Sequence, residues 1–286
     1  MINRMSRKIL RFLLIFVFLL TMPLMAFAQY FRNLNVADGL PNSVGKCFAQ
    51  DGQGFIWVGT FNGLARYDGM RFTTYRHVEG DKASLANSHV ESLCYDGNNG
   101  LWIGVNGGID YMSLESKKFS HCLYIEKKGG KPQPMIPIYV WQIIRSGNYL
   151  WAVNVAGQLL YKSADKSLVW QQFCIKGHKV MAVAPYDDKH LLVLLDNKLL
   201  LLDNHSLAWK AQCTVASTGD YIGNLYYSRN QRLIFVGMGY GKPTFAFSLD
   251  SNPQSHAYSL KGGKYVGCPV RCSEKQMLKS PIKLLI

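Results

Sequence analysis

The chain has 286 residues, 48% of them hydrophobic, with a formal net charge of +14 and seven cysteines. The cations are scattered, with no run longer than pairs such as Lys117-Lys118 and Lys127-Lys128, so the charge reads as solvated edges and argues against a nucleic-acid surface. An odd cysteine number, with no CxxC pair and no Cys/His ligand spacing, argues against a zinc site.

At the N-terminus, Arg4, Arg7, Lys8 and Arg11 precede an unbroken apolar run at 12–20, and Ala26-Phe27-Ala28 supplies small residues at a cleavage position. Residues 1–28 therefore read as a secretory signal peptide cut after Ala28, which places the mature chain in the periplasm. An uncleaved membrane anchor is the alternative, but the run is short of the about 20 apolar residues a spanning helix needs. Removing the leader leaves a formal charge of +10. No later stretch is apolar enough to span; residues 191–202 are interrupted by Asp196, Asn197 and Lys198 and read as a hairpin.

The mature chain repeats itself. Residues 51–69 read DGQGFIWVGTFNGLARYDG, residues 96–111 read DGNNGLWIGVNGGIDY, and residues 148–162 read NYLWAVNVAGQLLYK. Each copy carries a Trp followed six positions later by a Gly: Trp57/Gly63, Trp102/Gly108 and Trp151/Gly157. Placing Leu192 and Ile234 at the Trp position extends the series with spacings of 45, 49, 41 and 42, and Val90, Val140, Val180 and Ile222 mark the strand before each. A period in the forties is the mark of a stacked supersecondary unit.

Each unit is written as strands and turns. In the second, 90–95 predicts a strand, Asp96-Gly97-Asn98-Asn99-Gly100 a tight turn, 101–105 a strand on Trp102, Asn106-Gly107-Gly108 a hairpin turn, and 109–113 and 118–123 two more strands. Four short antiparallel strands per unit predict an all-β chain, the blades of a β-propeller, with each Trp wedged against its neighbour. About five to six blades are expected over 29–250, an incomplete set, followed by an irregular or truncated tail at 251–286. The polar inserts 76–88 and 126–137 are expected to be exposed loops. Cys47, Cys94, Cys174 and Cys213 lie among apolar neighbours and read as small buried hydrophobes. Cys268 and Cys272 could close a disulfide in an oxidising compartment, though the plainer reading leaves them unpaired.

The first unit resembles the two-component regulator propeller family, the periplasmic sensor repeats of hybrid two-component histidine kinases common in gut Bacteroidetes. The residues that carry the resemblance are Asp38-Gly39-Leu40-Pro41-Asn42-Ser43-Val44, then Gln50-Asp51 and Gly54-Phe55-Ile56-Trp57-Val58-Gly59-Thr60, then Asn62-Gly63-Leu64 and Arg66-Tyr67-Asp68-Gly69. It is strong in the first unit, good in the second and fades through the third to fifth. The resemblance implies a receptor with two propellers, an immunoglobulin-like domain, a membrane helix, a kinase, a receiver and a DNA-binding domain, switched by glycan fragments. None of the later parts is visible in this sequence, so the chain is expected to bind without signalling alone and to meet a membrane only through such a downstream part or an uncleaved leader.

The seven histidines are dispersed, no phosphate-binding glycine loop is present, and no catalytic constellation, metal site or cofactor is expected. Loops of several blades converge on one face, which places Asn42, Phe61, Asn62, Asn87, Asn106 and Asn154 on a common rim suited to an oligosaccharide: amides for hydroxyls and an aromatic platform. The competing explanation for each Asn is turn chemistry. Two other functions stand beside the sensor: an exported protein-interaction propeller without a small ligand, including a homodimer, and a propeller lyase or hydrolase.

Overall fold

The computed structural model describes residues 12–13, 15–16, 33–135, 139–196, 198–214, 224–237, 244–247 and 258–259. The cleavage site after Ala28, Ile222, Cys268 and Cys272, and nearly all of the leader and tail fall outside these residues. No helix among the described residues is long and apolar enough to cross a membrane.

After a short 3-10 turn at Val36–Asp38, the described chain is built of strands. Blade 1 contains β1 (Gly45–Gln50), β2 (Ile56–Thr60), β3 (Gly63–Tyr67) and β4 (Phe72–Tyr75), paired in that order and antiparallel throughout. Blade 2 repeats the plan with β5 (Val90–Tyr95), β6 (Gly100–Val105), β7 (Gly108–Ser113) and β8 (Phe119–His121). A hairpin follows, β9 (Leu123–Ile125) and β10 (Gln133–Pro134). Blade 3 contains β11 (Val140–Ser146), β12 (Tyr149–Asn154), β13 (Leu159–Ser163) and β14 (Val169–Phe173); blade 4 contains β15 (Val180–Pro185), β16 (His190–Leu195), β17 (Lys198–Asp203) and β18 (Trp209–Thr214). Blade 5 is β19 (Asn224–Ser228), β20 (Leu233–Gly237), β21 (Thr244–Phe247) and β22 (Tyr258–Ser259). The first strands pack in sequence, β1 on β5, β5 on β11, β11 on β15 and β15 on β19, so they are the innermost strands of an arc of blades.

The turns explain the regularity. Asp51 Oδ1 accepts the backbone N–H groups of Gln53 and Phe55 at 3.0 and 3.1 Å. Asp96 Oδ1 does the same for Asn98 and Gly100, and Asp187 Oδ1 for Lys189 and His190. One carboxylate thus fixes the turn between first and second strands in three blades. Across the next turn, Gly63, Gly108 and Gly157 have φ of +128°, +140° and +76°, a backbone conformation that side chains with a Cβ rarely adopt.

Each of the three repeat indoles is buried against the following blade. Trp57 (0% exposed) packs with Val90, Leu93, Leu101 and Ile103 of blade 2. Trp102 packs with Val140, Ile143, Leu150 and Ala152 of blade 3, and Trp151 with Val180, Val183, Leu191 and Val193 of blade 4. Leu192 continues the series against Leu225, Ile234 and Val236 of blade 5. Burying about 200 Å² of ring at about 25 cal/mol per Å² makes each Trp worth on the order of 5 kcal/mol gross.

Three expectations change. Ile234 is not the Trp equivalent: it and Val236 face back toward blade 4, whereas Trp57 faces forward. Phe235 takes the forward place, within Ile234-Phe235-Val236-Gly237 where blade 1 has Ile56-Trp57-Val58-Gly59. A one-residue slip in a strand exchanges its two faces, so the sequence register was wrong by one. Blade 3 is six-stranded rather than four-stranded, because β9 pairs in parallel with β14 (Val169 with Leu123, Gln171 with Ile125) and β10 pairs with β9.

The inserts are also not simply exposed loops. Leu85 and Ser84 are buried, Ala86 N donates to Asp110 Oδ2 at 2.7 Å, and Met135 is buried beside Trp102. Apolar residues within polar inserts have been drawn into the seams between blades.

Candidate ligand site at the bulged inner strands

In each of the first four blades the ladder between first and second strand skips one residue, between Gly45 and Cys47, Val90 and Ser92, Val140 and Gln142, and Val180 and Ala182. The extra residues are Lys46, Glu91, Trp141 and Met181. A bulge re-aims its side chain out of the strict alternation of the strand.

Two of these residues meet. Lys46 Nζ lies 3.3 Å from Glu91 Oε2, and the Glu91 side chain is 7% exposed. His89 Nε2 lies 2.5 Å from Glu91 Oε1, and the Tyr139 phenol lies beside the same carboxylate. Burial, and then the carboxylate beside it, push the Tyr139 phenol well above its ordinary pKa of 10.0. Phe61 sits over this group, 42% exposed, with Lys46 Nζ 4.6 Å from its ring centroid and the His89 ring edge-on at 4.6 Å; His89 in turn meets Tyr139 at 5.7 Å. The result is a buried carboxylate flanked by Lys46, His89 and Tyr139 and roofed by an accessible aromatic ring.

The six rim residues divide. Phe61 belongs to the cluster. Asn87 supports it, since Asn87 Oδ1 accepts the His89 N–H at 2.8 Å, and Asn42 Oδ1 accepts the Val44 N–H at 2.9 Å in the equivalent place of blade 1. Asn106 N donates to the His89 carbonyl, and Asn106 bridges to Tyr139 in the next blade. Asn62 Nδ2 donates to the Pro41 carbonyl at 3.4 Å. Asn154 does not join them: it is 3% exposed, and its amide is taken up by Gln158. In Asn42, Asn87 and Asn154 the side-chain oxygen performs turn chemistry.

Lys46, His89, Glu91 and Tyr139 were not among the sequence candidates. One signal was present: Lys46 and Glu91 are 45 apart, the spacing of Asn42 and Asn87 and of the first two Trp residues. Among the described residues no group of three or more His, Cys, Asp or Glu is arranged to hold a metal. Burial pushes the Cys47, Cys94 and Cys122 thiols up to about 12, so they stay protonated. Cys174 is exposed, contrary to expectation, and the side chain of Cys213 lies outside the described residues.

A family model described as two component regulator propeller matches residues 38–62, the stretch that supplies Asn42, Lys46, Phe61 and Asn62. No curated protein matches the sequence at a significant level. Among solved structures, the extracellular domain of BT4673 from B. thetaiotaomicron, described in one structure as a one component and in another as a hybrid two component system, is similar with a TM-score of 0.59 at 17% identity, covering 81% of this chain and 33% of that one. The chain folds as a β-propeller. This chain thus spans about a third of that relative's length. A virginiamycin B lyase from Staphylococcus aureus (TM-score 0.51, 15% identity, covering 70% and 64%) and the periplasmic gluconolactonase of Pseudomonas aeruginosa (TM-score 0.51, 16% identity, covering 82% and 72%) share the propeller fold.

Proposed function

We propose that the chain is the ligand-sensing propeller of an exported two-component receptor of the hybrid-kinase type, working in the periplasm, and that its ligand is an oligosaccharide. The observation that carries the reading is the coincidence of the family match at 38–62 with one wall of the Phe61 cluster. A sugar ring has an apolar face that suits the Phe61 platform and hydroxyls that suit the mixed donors and acceptors around Glu91. The propeller binds and carries no catalytic step; signal transmission is assigned to kinase parts of the receptor that lie outside it.

The test is thermal denaturation of the exported protein against a panel of plant, mucin and host oligosaccharides. A sensor's melting temperature rises by mass action with its ligand, and Phe61→Ala reduces the rise. A flat response across the panel, together with capture of an envelope protein, would favour the interaction propeller. Release of cleaved sugar would favour an enzyme.

A further inference from the structure

The bulged positions form a set that the cluster above uses only in part. Lys46 and Glu91 are engaged with each other, while Trp141 and Met181 occupy the same place on blades 3 and 4. Both are half-buried. Trp141 touches the apolar cluster between blades 3 and 4 and also the one between blades 4 and 5. A side chain reaching both faces of blade 4 from β11 lies along the free inner edge of β15. The next residue confirms that course: Gln142 Nε2 donates to the Val183 carbonyl at 2.9 Å, and its Oε1 accepts the Val183 N–H at 3.0 Å.

The four innermost strands pack side by side, so these residues follow one another along the inner edge of the arc, and their character changes along it. Blades 1 and 2 present an ammonium and a carboxylate; blades 3 and 4 present an indole and a thioether. We infer that this inner edge forms an axial subsite holding one sugar residue of the ligand, its hydroxyls toward Lys46 and Glu91 and its C–H face against Trp141 and Met181. Phe61 then contacts the adjoining sugar at the mouth. The inference rests on the oligosaccharide reading above and adds to it which residues discriminate the sugar.

Wild-type protein is titrated with the disaccharides cellobiose, lactose, xylobiose and chitobiose and with longer fragments of the same glycans, following melting temperature and tryptophan emission. Trp57, Trp102, Trp151 and Trp170 are buried and Trp209 lies on the outermost strand of blade 4, so an emission change on binding reports Trp141. The expected result is an emission change in the wild type that Trp141→Phe abolishes, with affinity lowered about tenfold by Trp141→Phe and by Lys46→Met. Lys46→Met, at a partly solvated ammonium, keeps the test open should Trp141→Phe not fold. Saccharide binding that both variants retain unchanged would overturn the axial subsite while leaving the sensor intact. Absence of any saccharide response in the wild type would overturn the oligosaccharide reading itself, and the subsite with it.

Discussion

Lys46 and Glu91 hold the same position in successive blades and meet across the seam between them, Nζ to Oε2 at 3.3 Å. A repeat that places opposite charges at one structural position makes a contact between neighbours that identical copies could not. Because Glu91 keeps its contact with His89 when Lys46 is lost, Lys46→Met is expected to cost under about 1 kcal/mol. Glu91→Leu leaves the half-buried His89 and Lys46 without their acceptor and is expected to cost about 1–3 kcal/mol. Urea unfolding of the two variants checks the order.

The indoles are not equivalent in their polar contacts. Trp57 Nε1 donates to Asp51 Oδ2 at 2.8 Å, whereas Trp102 Nε1 and Trp151 Nε1 find no partner among the described residues. Trp57→Phe strands a buried carboxylate oxygen, and Trp102→Phe removes an N–H that was already unpaired. The first is expected to be the more destabilising by about 1–3 kcal/mol, measured by chemical denaturation.

Close approach of blades depends on glycine two residues after the Trp. A Cβ at Gly104 would lie 2.6 Å from the Val140 carbonyl oxygen and collide with Ser92 Oγ, and the backbone oxygen cannot turn aside. Gly104→Ala is expected to lose about 1–3 kcal/mol and to lower the melting temperature. A Cβ at Gly69 meets nothing within 4 Å. Gly69→Ala is strained only by its φ of +95°, so it serves as the milder control.

The strap between blades 1 and 2 carries a pH dependence. The Asp110 carboxylate, at 2.8 Å, holds His121 above its ordinary 6.5, and the Leu85 carbonyl, then Glu79, raise His77. A histidine raised in the folded state favours folding when protonated. That contribution is complete below 6.5 and disappears as pH rises through the raised value. The melting temperature is therefore expected to fall between about pH 6 and pH 8, and Asp110→Asn should flatten the His121 part of that slope. A profile rising over this interval would contradict the arrangement.

The corrected register of blade 5 is testable as well. Ile234 is fully buried against blade 4 while Phe235 is half-buried. Ile234→Ala should cost about 2–5 kcal/mol and Phe235→Ala clearly less; the reverse order would restore the register read from the sequence.

The period of Trp57, Trp102 and Trp151 was legible because a buried indole is scarce and cannot be exchanged cheaply. In blade 5 that marker is gone. Leu233, Ile234, Phe235 and Val236 are all apolar, and alternation alone cannot say which face each takes. The strand β9 escaped notice because Leu123, Tyr124 and Ile125 run on directly from the strand read at 118–123 and have no period of their own; their place is set by the free edge of β14. The sequence points to Phe61 and the Asn residues but not to Lys46 and Glu91. Opposite charges do not look like copies, and a bulge leaves no mark in composition. Asn154 was over-read for the converse reason: it resembles its counterparts in sequence, yet the adjacent Gln158 consumes its amide.

The hairpin β9–β10 has an effect beyond its size. Its residues precede blade 3 in the chain and yet fasten the outside of that blade, joining it to the stretch that leaves blade 2. Blades 2 and 3 are consequently buckled together at their circumference as well as at their hub. A twisting load applied between them should be resisted as one body.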